Sequence, residues 1–431
     1  MNSWKKLCWG LCLLNSLIAN PAEPPKSPKR RITLSLGLVE DINSNEGMKH
    51  LPLTSIQGYS WVFDQATKMT QGEFSRAALV AAEIILHMPY LGKDFNADES
   101  TWFFKEKWWP YLSAYHEFGH ARGKRAFCRD FFKGYEVGVA GDQKEVNSVI
   151  WYYLYSFYHM GFTETAITNG PFEPKKTTQK LPIFAGGLNN ESRLGSEIAD
   201  WTYRFNGHIA YFGPYLRGKT GSVSYTAKTK SGAAPDDSSD IAYIKNYYKS
   251  YHPAFNLDNI QLGGLVSLLC SSTTYSFLKG YWDFIKTGDP TVRTFTCYGI
   301  RLPDVNFYFT RNGLSLEVIS GYQINPNMWI NIGIETVYYP SASMEFTPSL
   351  RYILPTRMYG AFEFDAGVVI NAYGHFSGHI GVEWTDPTHP ITLQAKAIHH
   401  NAKTYVGERN IPNAHDGVHD IEIMVSASYN Y

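Results

Sequence analysis

The sequence predicts an α+β protein in two parts, a mainly helical region followed by an antiparallel barrel of about eight strands. Three observations carry that expectation. Helical patterning dominates to about residue 290, the hydrophobic period changes to two from about residue 303, and the proline-rich basic stretch "EPPKSPKRR" sets the first residues apart. The reading in order is a signal peptide at 1–22, a flexible tether at 23–32, a helical domain at 33–299 and the barrel at 300–431.

Length and charge bound the function. A chain of 431 residues buries a core large enough for a catalytic site. Its 39 basic and 39 acidic residues cancel, which excludes a polyanion such as nucleic acid as the expected partner. The first residues carry Lys5 and Lys6, an apolar run, then small residues and prolines, the pattern of an export signal. That run is shorter than the roughly 20 residues a spanning helix needs. Cys8 and Cys12 would leave with the signal, and Cys128, Cys270 and Cys297 form no metal-binding or disulfide framework. Cys270 with Cys297 is the pair open to a bridge in an oxidising compartment.

Helices are expected at 75–88, which stops at Pro89, and from Pro110, whose missing N–H costs nothing in a first turn. The apolar stretches "VIWYYLYSFYHMGF" and "NIQLGGLVSLLCSSTTYSFLKGYWDFI" read as further helices, buried or lying against a bilayer. "GGLNNESRLGSEIADWTYRF" (186–205) reads as a glycine turn, an asparagine cap and a helix. Residues 218–240, rich in Gly, Ser, Thr and Lys, read as a flexible surface loop.

Beyond residue 303 eight segments alternate. In "MYGAFEFDAGVVI", for example, Phe362, Phe364, Ala366, Val368 and Ile370 oppose Glu363 and Asp365. An apolar face rimmed by aromatics and a charged opposite face suit a small transmembrane barrel with paired charges inside. The ending "VSASYNY" resembles the C-terminal signal of bacterial outer-membrane barrels. A soluble sandwich is the alternative, because water-facing antiparallel sheets alternate as well.

The chemistry lies in "YHEFGH" (115–120). On a helix, His116 and His120 project from one face and can share one metal ion, while Glu117 can reach a water beside it. Zinc lowers the pKa of a bound water to about 7 and polarises a carbonyl. Gly119 and Gly123 on the same helix suggest that another backbone or a substrate comes close.

This stretch resembles the zinc helix of the HExxH metallopeptidases, the zincins. In the glutamate-ligand branch the resemblance implies a third ligand from a downstream helix, here 186–205. Glu191, in "GLNNE", is similar to one branch's G-x-x-N-E start, although Gly195 stands where an aspartate is expected. Glu197, in "SEIAD", is similar to the E-x-x-A-D helix of membrane-associated peptidases, with its glutamate one residue nearer the aspartate. Glu197 is the slightly preferred ligand, with Asp200 then holding a ligand histidine. His208 is a candidate for steadying an oxyanion, and packing is the competing role. His375 and His379 share a strand, where four residues span about 13 Å, too far for one ion.

The expectation is an exported zinc endopeptidase of the bacterial envelope, acting on a protein or peptide, with His116, His120 and Glu197 or Glu191 as ligands and Glu117 as general base. Its expected place is the outer membrane at the periplasmic face, or the periplasm. The competing expectation is a non-enzymatic outer-membrane structural or adhesion barrel.

Overall fold

The computed structural model describes residues 31–37, 45–87, 112, 115–117, 119–120, 135–139, 142–146, 164–165, 177–230, 239–325, 327–340, 343–356, 360–386, 388–389, 391–401, 404 and 419–430. The expected signal peptide, the tether up to residue 30, the stretch 149–162 and Gly123 lie outside the described residues.

Eight helices are bounded as α1 Asn45–Lys68, α2 Gly72–His87, α3 Thr177–Phe184, α4 Gly186–Phe205, α5 Phe212–Lys230, α6 Asp240–Tyr251, α7 Leu257–Leu269 and α8 Ser272–Thr287. Residues 112, 115–117, 119 and 120 are helical as well. Local chemistry sets several ends. Ser239 Oγ accepts the Ala242 N–H ahead of α6, Asn256 caps α7 in the same way, and Gly288 stops α8 at φ +83°. A small sheet of β2 Tyr135–Val139, β3 Asp142–Val146 and β4 Glu164–Thr165 stands within the region expected to be mainly helical. β5 (Gly207–His208) pairs with β6 (Thr291–Val292).

The main sheet matches the eight alternating segments strand for strand: β8 Ile300–Thr310, β9 Gly313–Asn325, β10 Met328–Pro340, β11 Ser343–Thr356, β12 Gly360–Asn371, β13 Phe376–Thr385, β14 Ile391–Asn401 and β15 His419–Asn430. Two shorter strands, β1 (Arg31–Gly37) beside β15 and β7 (Thr296–Cys297) beside β8, make ten in all, every neighbour antiparallel. The sheet thus recruits residues that the sequence assigns to the tether and the helical region.

The expected barrel is not closed. Among the described residues no ladder joins β1 to β7 or β8, so the sheet is open. Helices occupy both edges: α1 packs along β1, α4, α7 and α8 pack against β8, and α1 meets α4. With its edge residues so engaged, β8 pairs with β9 and β7 alone.

The sheet is inside-out by the standards of a water-soluble protein. Its inward face is polar and buried: Glu317, Glu335 and Glu345 lie opposite one another on β9, β10 and β11. Farther along, Arg351 is 2.7 Å from Glu363, and His379 and Lys396 lie 3.1 and 3.5 Å from Asp365. The outward face exposes Ile332, Ile334, Phe346, Phe364, Ile380 and Ile423. Burying charge is unfavourable unless it is paired, and Glu363 is paired with Arg351, and Asp365 with Lys396 and His379.

α5 overturns the surface-loop expectation over 218–230, which is helical and mostly buried, while 231–238 lie outside the described residues. The small residues that look loop-like are what permit close packing. A Cβ on Gly218 would lie 2.6 Å from the Glu191 carbonyl oxygen of α4. Lys219 is buried too, its Nζ donating to Asp304 Oδ2, the Val305 carbonyl and Asn306 Oδ1 at 2.8, 2.6 and 2.6 Å. Cys270 and Cys297 are both free, so the pair open to a bridge is not joined.

In the helical layer, Tyr59 Oη donates to the buried Glu83, and His87 Nδ1 donates to the Glu83 carbonyl at 2.7 Å. Burial pushes Glu83 up to about 7 and His87 down to about 4, so His87 offers Glu83 no charge at neutral pH. A carboxyl with a raised folded-state pKa contributes its full stability below the unfolded value and loses it as pH rises through about 7. The group is therefore expected to cost about 3 kcal/mol between pH 4 and pH 8. His87, lowered in the folded state, contributes the opposite slope, so Glu83→Gln should gain about 3 kcal/mol relative to wild type between pH 4 and pH 8 in denaturant melts, and a pH-independent difference would contradict the assignment.

Candidate metal centre

Two contacts bring the motif helix and α4 together. A Cβ on Gly119 would lie 2.2 Å from the Gly186 carbonyl oxygen, so the backbones touch where the sequence suggests a close approach. Asn190 Nδ2 donates to the Tyr115 carbonyl at 3.0 Å. Asn189 sits inside the helix instead of capping it. Its amide donates to the Phe309 carbonyl and accepts the Phe309 N–H, both at 2.9 Å, docking the start of α4 on β8.

The imidazoles of His116 and His120 are buried and face each other, their Nε2 atoms 3.1 Å apart. Each Nδ1 is committed as a donor, because its partner can only accept. His116 Nδ1 donates to Glu191 Oε1 at 3.0 Å, and His120 Nδ1 donates to the Ile183 carbonyl at 2.7 Å. In neutral rings both Nε2 atoms therefore carry lone pairs. Asp240 Oδ2 joins them at 3.3 Å from His116 Nε2 and 3.1 Å from His120 Nε2. With both rings neutral, three acceptors converge on one point, where a proton or a metal ion can bind.

The donor set fits zinc. Ligands at about 2.0–2.1 Å in a tetrahedron stand roughly 3.3–3.4 Å apart, close to the three separations seen. Two histidines and one carboxylate leave a fourth position, the pattern of catalytic rather than structural sites. Asp240 keeps 19 % of its side-chain surface exposed, so the centre opens on that side.

Electrostatics favour positive charge here. Burial works against a charged His116, but hydrogen bonds to Asp240 and Glu191 outweigh it and take the ring up to about 10. His120 is raised for the same reason, chiefly by Asp240. Glu117, the next residue in the helix and half-buried, adds to both effects through its charge. Burial opposes ionisation of Asp240 and Glu191 as well. His120 and His116 hold Asp240 below the usual carboxylate range, and Arg217 with His116 does the same for Glu191. A proton and a metal ion compete for the same lone pairs.

The structure sorts the candidate residues. His116 and His120 come together as expected. Glu191 is beside them but on the far nitrogen of His116, with Arg217 Nη2 3.3 Å from the same oxygen, so it orients the ring instead of joining the three-atom cluster. Glu197, half-buried farther along α4, is not in the cluster, which comprises His116, His120 and Asp240 among the described residues. Asp200 pairs with Arg204 at 2.8 Å and lies near Arg301 and Arg351, so it does not hold a ligand histidine. His208 accepts the Ala210 N–H and donates from Nε2 to Asp64 at 2.9 Å, a structural role in place of the oxyanion contact.

No protein-family model, curated protein or solved structure matches the chain. The site is read from its own geometry.

Sequence reasoning misses Asp240, Tyr225 and Arg217. Tyr225 stacks on His116 with ring centroids 5.2 Å apart and planes 8° from parallel. The available signal for Asp240 is "SSD" ahead of an apolar helical pattern, a capped first turn masked by the loop-like composition before it.

The site also rests on Gly187, where a Cβ would lie 2.5 Å from His116 Nε2 and 2.6 Å from His120 Nε2. Gly187→Ala is expected to weaken metal binding at least about tenfold, the scale of a lost supporting contact. Isothermal titration with zinc checks this. Gly58→Ala, on a helix face with nothing within 4 Å, should leave binding unchanged.

Proposed function

We propose that the chain is an exported zinc-dependent endopeptidase of the bacterial cell envelope, carried by a sheet whose apolar face lies in the outer membrane. The observation that carries the catalytic half is the convergence of His116 Nε2, His120 Nε2 and Asp240 Oδ2 while both Nδ1 protons are committed elsewhere. The inside-out sheet, with an apolar outer face and ion pairs on its inner one, supports the membrane half; no described helix is long and apolar enough to cross a membrane.

Bound zinc would supply Lewis acidity and ease deprotonation of water. His116, His120 and Asp240 would hold it. Glu117 takes the proton of the attacking water on its carboxylate and returns it to the leaving amine nitrogen. Glu191, fixed by Arg217, keeps His116 in the tautomer that presents Nε2.

The test is metal analysis of purified protein with peptide-cleavage assays of Glu117→Gln. Retained zinc with activity reduced about 10²- to 10⁴-fold is the expected result. A wild-type protein that takes up no zinc, or a Glu117→Gln protein that cleaves as well as wild type, overturns the reading. The sheet polarity stands independently of the metal centre, and that favours the non-enzymatic structural or adhesion reading as the second choice.

A further inference from the structure

Helix α7 is apolar on nearly every side from Leu262 on, while Asp258 and Gln261 of its first turns pair with Lys230. Leu262, Leu265 and Leu269 recur at helical spacing and are 57, 39 and 51 % exposed. Ile260, Gly263, Gly264 and Ser267 on the opposite flank are buried. A helix that is hydrophobic all round belongs inside a core or in lipid.

The buried flank shows which way the stripe faces. A Cβ on Gly263 would lie 2.2 Å from the Phe307 ring and 2.7 Å from Tyr338 Oη, and Ser267 Oγ donates to the Val305 carbonyl at 2.9 Å. Phe307 lies opposite Leu316, which lies opposite Thr336, on the same face as Ile334 and Ile332. α7 therefore covers the outward face of the sheet at its β8 edge. Its leucines point away from the protein on the side where β10 exposes Ile332 and Ile334.

The next helix adds a boundary signal. α8 exposes Leu278 and Trp282, with Lys279 and Lys286 on the same side, and Lys286 Nζ lies 5.3 Å from the Trp282 ring. Tryptophan with lysines is the composition that the water–lipid interface favours, and a leucine stripe beside it suits the hydrocarbon.

We infer that the leucine stripe of α7 rests in the acyl chains of the bilayer, with Trp282 at the headgroup level, so that the helical part shares the membrane surface of the sheet. The inference rests on the membrane half of the proposed function. It has a consequence for the metal centre: α6, which begins with Asp240, shares a core with α7 through Ile241, Ile244 and Ile260. A metal ligand is thus one packing layer from lipid.

The test reconstitutes the full chain in phosphatidylethanolamine–phosphatidylglycerol vesicles and measures labelling by a water-soluble maleimide. Leu265→Cys reports on α7, Phe364→Cys on the sheet and Lys249→Cys on an exposed polar position, with wild type giving the background of the native cysteines. Leu265→Cys and Phe364→Cys should both react at least about tenfold more slowly than Lys249→Cys. A fluorophore at 265 should be quenched by brominated acyl chains. Rapid labelling at 265 with protection at 364 overturns this inference and leaves the membrane sheet intact, whereas rapid labelling at both overturns both. Protection at 265 without quenching means that protein covers the stripe, and also overturns it.

Discussion

Asp240→Asn is expected to lower zinc affinity by more than the roughly 100-fold that loss of a supporting contact costs, because it removes one of three converging donors and the negative charge that balances the ion. Glu191→Gln should cost less, about 10- to 100-fold, since it loosens the hold on His116 without removing a ligand. Glu197→Gln should change nothing. The ranking separates the arrangement seen from the two glutamate-ligand alternatives. Competition titrations with a chromogenic chelator measure it, and a Glu191→Gln effect larger than that of Asp240→Asn would transfer the third ligand to Glu191.

The second large effect concerns stability. Lys219 and Asp304 are 0 and 1 % exposed, and they join α5 to β8 in a fully buried pair. Asp304 Oδ1 also accepts from Tyr215 Oη at 3.3 Å. Lys219→Met leaves that carboxylate buried without its cation and is expected to destabilise the protein by about 3–5 kcal/mol. Lys219→Met combined with Asp304→Leu should recover most of the loss, because both charges go together. The Val305 carbonyl keeps its hydrogen bonds from Ser267 and Ser271 in either variant. Denaturant melts in detergent decide the matter, and a Lys219→Met loss under about 1 kcal/mol would show that the pair does not hold α5 to the sheet.

Much of the architecture is legible because it is local. Alternation in the last third places every long strand and its apolar face, and the helix expected within 186–205 is there as α4, although it begins at Gly186, ahead of the asparagines expected to cap it. The pairing of His116 with His120 follows from helical spacing alone, and Gly119 announces the backbone contact with Gly186. α5 is hidden for a physical reason. A helix packed by Gly, Ser and Thr against another backbone has the composition of a loop, and its buried lysine looks like a surface residue until Asp304 is placed beside it.

The choice among acidic residues cannot be made locally. Glu191 and Glu197 both sit on the expected helix, yet the carboxylate that meets the two histidine Nε2 atoms is that of Asp240, 120 residues beyond His120. Side-chain periodicity specifies which residues share a face of one element, and so it determines the motif helix, the strands and the polarity of the sheet. Which faces meet depends on packing between distant elements: the docking of Asn189 on Phe309, the salt link of Arg217 to Glu191 and the helices packed against β1 and β8. Those contacts exist only once the chain has folded, and they decide which carboxylate joins the two histidines.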